Sequence, residues 1–172
     1  MKLNIKETAV FALLGAQMYS TKIIMEVLPN VQLFGLFTVA TTAVYRKKAL
    51  YPIYVYVFIN GFFSGFAMWW IPYLYIWTVL WGAVMLLPKN IPAKVKPIVY
   101  MTVCALHGFL FGTLYAPAQA LLFGLDFKGM VAWIAAGLPW DFVHGVSNFI
   151  CGTLICPIIA VLKRSEKYIT RN

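Results

Sequence analysis

Residues 98–115 read IVYMTVCALHGFLFGTLY: eighteen positions with no formal charge, rich in aliphatic and aromatic side chains, and without the alternation a half-buried strand requires. A run of that length is nearly the 20 apolar residues needed to cross the bilayer as a helix. A soluble domain would have to hide it. The rest of the chain gives nowhere to do so, because 62% of its 172 residues are hydrophobic, 17% aromatic and 11% charged, with a mean hydropathy of +0.81. In lipid only helices and closed barrels satisfy every backbone polar group. Long apolar runs without period-two patterning make the expectation an all-α integral membrane protein.

Working outward from 98–115, punctuation by proline, glycine and charge divides the chain into six expected spans at about 7–25, 31–45, 50–66, 70–87, 98–115 and 140–162. Residues 116–139, containing the polar, glycine-bearing GLDFKG, are expected as an irregular outer segment, a lid or an interfacial helix. The whole chain, 1–172, forms one membrane domain with no space for a soluble catalytic domain. The first segment, MKLNIKETAV, has the basic start of a signal peptide, but no small-residue cleavage site precedes a polar mature region, so it is expected to remain as the first span.

Charge gives the orientation. Lys2 and Lys6, Arg46 to Lys48, Lys89, Lys94 and Lys96, and Lys163, Arg164, Lys167 and Arg171 account for twelve of the 14 basic residues, and all fall in segments on one side. Lys22 and Lys128 fall on the other. By the positive-inside rule both termini are cytoplasmic, and the net charge of +9 suits anionic lipid rather than nucleic acid. Cys104, Cys151 and Cys156 lack paired CxxC spacing and are expected as reduced thiols in apolar surroundings, neither a disulfide nor a metal site.

The polar residues inside the spans are few. LPWDFVHGVSN, 138–148, places Asp141, His144 and Asn148 on one helical face, a stripe about 10 Å long. With Pro139 in a first turn, Asp141 would stand near the outer end of the sixth span, either capping that helix and bracing His144 or contacting a ligand in an outward-facing pocket. Asn60 in the third span, Glu26 and Asn30 at the end of the first, and Gln119 and Lys128 in the outer segment are further polar candidates. His107 suits a packing histidine better than a ligand contact. Trp69, Trp70 and Tyr73 belong either to an interfacial aromatic belt or to the mouth of a pocket. Small residues four apart, Ala12/Ala16, Gly61/Gly65 and Gly108/Gly112, permit close helix approach. No nucleotide-binding loop, metal-ligand set or nucleophile accompanies Asp141 and His144, which argues against an enzyme and against cofactors, and leaves any transport without an energy source in this chain.

Taken together, the six expected spans, the cytoplasmic termini, ALLGA in the first span and LPWDFVHGVSNF in the last resemble the substrate-binding S-components of energy-coupling factor (ECF) vitamin transporters. LPN, RKKALYPIYVYVF and WWIPYLYIWT are similar to blocks in a subgroup of that family. The resemblance covers nearly the whole chain. It implies a prokaryotic plasma-membrane protein that captures a vitamin-like substrate at the outer face. It implies docking, through Ala12, Gly15 and Ala16, on a transmembrane coupling protein driven by two ATPase subunits. It makes Asp141, His144, Asn148, Asn60, Trp69, Trp70 and Tyr73 the candidate substrate contacts, with cobalamin first among the expected substrates. Against it stands a stand-alone small membrane protein, structural, channel-like or an Asp/His enzyme.

Overall fold

The structure, a computed structural model, describes residues 2–170; Arg171, counted above among the basic residues, lies outside them. Among the described residues there are helices and no strand: α1 (Ile5–Met25), α2 (Phe34–Tyr45), α3 (Leu50–Ser64), α4 (Tyr73–Leu86), α5 (Lys96–Phe109), α6 (Phe111–Phe123), α7 (Phe127–Cys151) and α8 (Ile155–Thr170). Short 3-10 turns at Arg46–Ala49, Met68–Trp70 and Gly152–Leu154 complete the path. Three helical stretches, Met68–Leu86, Lys96–Phe123 and Phe127–Ile169, are long and apolar enough to cross a membrane.

Local chemistry explains where the helices begin and end. Asn4 caps α1 by accepting the Glu7 amide at 2.8 Å, while Glu7 accepts the Asn4 amide at 3.1 Å, a reciprocal capping box. The break after α1 falls at Leu28-Pro29-Asn30, where Asn30 takes a φ of 58° that asparagine tolerates better than most residues. Between α2 and α3 the basic triplet closes a tight turn. Arg46 donates to the Met85 carbonyl at 3.0 Å, satisfying the last turn of α4, and Lys48 is ion-paired with Glu7 at the start of α1. Two of the three charges are thereby used by the fold itself.

The largest differences from the sequence expectation lie in its last third. Residues 116–139 are not irregular. α6 continues through Pro117 to Phe123, Gly124 ends it in the left-handed region at φ 66°, and Asp126 caps α7 by accepting the Gly129 amide at 2.7 Å. The non-helical part shrinks to three residues, 124–126. Pro139 is therefore inside a 25-residue helix rather than in its first turn, and the expected sixth span at 140–162 is interrupted by the 3-10 turn Gly152–Leu154. The fifth span also divides, at Leu110, between α5 and α6.

Packing centres on α2, whose residues are almost all buried, including Phe34, Leu36, Val39 and Thr38. α8 turns Ile155, Ile159, Leu162 and Ile169 inward, at spacings of four, three and seven, and leaves Lys163, Arg164 and Lys167 exposed. α1 lies on α3, and α5 lies on α7. Because lipid is as apolar as a leucine side chain, these contacts draw their energy from close packing and hydrogen bonds more than from exclusion of water.

Candidate functional site

The polar stripe on α7 meets the small-residue stripe on α5 and α6. Asp141 accepts the Gly112 amide through both carboxylate oxygens, at 3.0 and 3.1 Å. Gly145 faces Gly108, so close that a Cβ on Gly108 would stand 2.9 Å from the Gly145 Cα. Asn148 donates to the Cys104 carbonyl at 3.3 Å. Residues 104, 108 and 112 on one side of the seam thus oppose 148, 145 and 141 on the other. Two ordinary side chains at Gly108 and Gly112 would force the helices apart.

The Asp141 contact also explains the break at Leu110. In a continuous helix the Gly112 amide would bond to the carbonyl four residues back; here a carboxylate from α7 takes it, and α6 starts afresh with Asp141 as a cap supplied from outside. A negative group at a helix N-terminus is favourable for the dipole. Discontinuous helices of this kind commonly carry ligand sites in transporters, their free N-termini facing anionic groups. At this one the position is already filled by Asp141. Asp141 therefore does not cap its own helix and is engaged in bracing another.

Immediately beside the break, an aromatic pile joins six helices. Phe34 of α2 stacks on Tyr56 of α3 at 3.7 Å and meets Trp77 of α4 edge-on at 4.3 Å. Trp77 packs on Tyr73 at 5.7 Å, on His107 of α5 at 5.4 Å and on Phe111 of α6 at 5.7 Å. Phe111 then contacts His144 of α7 at 4.9 Å. Three polar atoms in this region are fully buried without a hydrogen-bond partner: Thr38 Oγ1, Trp77 Nε1 and His107 Nδ1. The other ring nitrogen of His107 meets the Ile76 carbonyl at 3.1 Å. A cavity of about 180 Å³ opens beside His107, lined otherwise by aliphatic side chains such as Leu80, Val103, Leu106 and Leu114.

Four of the expected site residues fall on these two features. His144 and Tyr73 belong to the aromatic pile, whereas Asp141 and Asn148 belong to the helix seam. Trp69 offers its carbonyl to Tyr115 at 3.1 Å and its ring to Tyr73 at 5.5 Å. Trp70 is committed elsewhere, donating to the Val57 carbonyl in the middle of α3 at 2.8 Å. Asn60 is buried and accepts from Ser64 at 3.4 Å. On α1, Ala12 is exposed and Ala16 half-buried, but Gly15 is turned inward beneath Val55, whose Cγ1 lies 2.4 Å from where a Cβ would be. Gly15 thus packs α1 on α3 and is not part of an outward surface.

Sequence reasoning passed over Thr38, Phe34, Tyr56, Trp77 and Phe111, and gave His107 a packing role. Each sits in an apolar run where an aromatic or a lone threonine carries no signal of its own. The one available clue was that His107 and Phe111 are a helical turn apart and each is followed by a glycine, Gly108 and Gly112. Among the described residues no three His, Cys, Asp or Glu side chains come together as metal ligands. Comparison with known proteins adds no relative: no family model, curated protein or solved structure matches the chain.

Proposed function

We propose that this chain is the substrate-capturing subunit of an ECF-type importer, with six membrane crossings, both termini in the cytoplasm, and a small planar vitamin-like solute held at the aromatic pile. The observation that carries the proposal is the set of unpartnered atoms on Thr38, Trp77 and His107. Leaving a buried donor or acceptor unpaired costs about 1–3 kcal/mol. Three of them beside stacked rings are poor value for a purely structural core and well suited to a ligand that stacks and hydrogen-bonds at once. The indole N–H can only donate, so the solute presents at least one acceptor to Trp77.

Size narrows the range. A cavity of about 150 Å³ accommodates one benzene ring, and the space that His107 lines with aliphatic side chains, at the edge of the pile, is about 180 Å³. Within the family's substrates this favours one- or two-ring heteroaromatics, such as thiamine or pyridoxine, over the much larger cobalamin. Energy would come from separate ATPase subunits through a coupling protein docked on the outward face of α1, where Ala12 is exposed. The test is thermal unfolding of the purified protein across a panel of water-soluble vitamins, with parallel co-purification on ECF coupling subunits. A ligand that binds only the folded state raises the melting temperature, by an amount that grows with the logarithm of its concentration above Kd. No shift with any vitamin together with no complex overturns the proposal.

A further inference from the structure

A groove separate from the space beside His107 lies on the face of α3. It has a volume of about 660 Å³ and is lined by Lys47, Leu50, Tyr51, Tyr54, Val55, Phe58 and Ile59. Apart from Lys47, every lining residue is uncharged. The hydroxyl of Tyr54 is already engaged, donating to the Leu74 carbonyl at 2.7 Å and meeting Thr78 at 2.8 Å, so its ring is what the groove receives. At the head of the groove the basic triplet splits by role. Arg46 is bonded to Met85 and Lys48 to Glu7, whereas Lys47 is exposed and forms no ion pair among the described residues.

We infer that this groove is a binding site for one anionic phospholipid, its phosphate on Lys47 and an acyl chain laid along Leu50, Tyr54 and Phe58. Dimensions support a lipid. From Leu50 to Ile59 the helix rises about 14 Å, close to the roughly 15 Å depth of a single leaflet. The charge lies at one end, where a headgroup would be, and the remainder is hydrocarbon and aromatic surface. The volume falls in the usual range for ligand pockets, about 300–1,000 Å³. Charge complementarity selects the headgroup: a phosphatidylglycerol has a net negative charge for Lys47, and a phosphatidylcholine has none. The site needs only a bilayer around α3 and is independent of which solute the protein carries.

The experiment is thermal unfolding of the full chain in detergent, titrated with dioleoylphosphatidylglycerol, with dioleoylphosphatidylcholine, and with glycerol phosphate as a headgroup without chains. Phosphatidylglycerol is expected to raise the melting temperature at lower concentration than phosphatidylcholine, and glycerol phosphate to have no effect. Lys47→Gln, at an exposed position, should raise the concentration of phosphatidylglycerol needed for a given shift by about three- to five-fold and leave that of phosphatidylcholine unchanged. Raising the salt concentration should erase the same difference in the unmodified protein, which keeps the test valid should a groove variant misfold. Leu50→Trp or Ile59→Trp, checked by monodisperse elution, should abolish the response by filling the groove. Equal response to both lipids, or a phosphatidylglycerol response indifferent to Lys47→Gln, overturns the inference. Loss of coupling-subunit co-purification in Leu50→Trp, with lipid titrations unchanged in every variant, assigns the groove to a partner helix and overturns it equally.

Discussion

Asp141 grips the amide of Gly112 with both carboxylate oxygens, and the same closeness leaves no space for a side chain there: a Cβ on Gly112 would lie 2.5 Å from Asp141 Oδ2. Asp141→Ala should strand a buried N–H at a cost of about 1–3 kcal/mol, a fall in melting temperature of roughly 2–10 °C for a chain of this size. Asp141→Asn retains an acceptor oxygen and should cost less. Gly112→Ala, which pushes directly on the carboxylate, should match Asp141→Ala, with a penalty of about 1–3 kcal/mol from overpacking. Thermal unfolding in detergent measures all three. Reduced vitamin affinity at unchanged stability in Asp141→Asn would instead mean that the carboxylate touches substrate.

How much of this could be seen in the sequence depends on whether a signal is local. The helical class follows from the apolar runs themselves, and the turn at Leu28-Pro29-Asn30 from residues that punctuate any chain. The face shared by Asp141, His144 and Asn148 follows from helical periodicity alone. The object that face meets does not, because the opposing Cys104, Gly108 and Gly112 are about thirty to forty residues away in sequence. Pro117 and Pro139 misled for a related reason: each ordinarily ends a helix, yet membrane helices tolerate proline where neighbouring groups satisfy the freed backbone. Leu110, where the break does occur, has no breaking tendency of its own. The carboxylate of Asp141 makes the break.

Glycine substitutions should separate the seam from its surroundings. A Cβ on Gly145 would lie 2.3 Å from the Phe109 ring and one on Gly108 2.9 Å from the Gly145 Cα, whereas nothing lies within 4 Å at Gly82 or Gly137. Gly108→Ala and Gly145→Ala should each lower stability by about 1–3 kcal/mol. Gly82→Ala and Gly137→Ala, in helix interiors with free space, should be neutral or raise it by about 0.4–1 kcal/mol. Comparable melting temperatures for all four would mean that the seam is not close-packed.

The unpartnered atoms of the aromatic pile predict opposite effects on stability and on binding. Thr38→Val exchanges a buried, unbonded hydroxyl for a methyl of similar size, and should stabilise the empty protein by about 1 kcal/mol. His107→Phe removes an unpaired ring nitrogen but also the contact to the Ile76 carbonyl, so its net effect on stability should be smaller. Both should weaken the vitamin-induced rise in melting temperature. A variant that is destabilised and still binds normally would show that these atoms serve the core alone.

On α1 the decisive comparison is between neighbours that point in different directions. Gly15→Ala would drive a Cβ against Val55 and to within 2.9 Å of the Pro52 carbonyl, so it should loosen α1 from α3 and lower stability, with loss of function following from the fold. Ala12 is exposed, and Ala12→Leu adds bulk only to the outward face. Melting temperature and vitamin affinity should therefore stay near those of the unmodified protein in Ala12→Leu while coupled uptake with the ECF subunits is lost, because the close helix approach that small residues permit is blocked. Ala16→Leu, half-buried, should fall between the two. Undiminished uptake in Ala12→Leu would remove α1 as the docking face, and a stability loss equal to that of Gly15→Ala would place Ala12 in the internal packing instead.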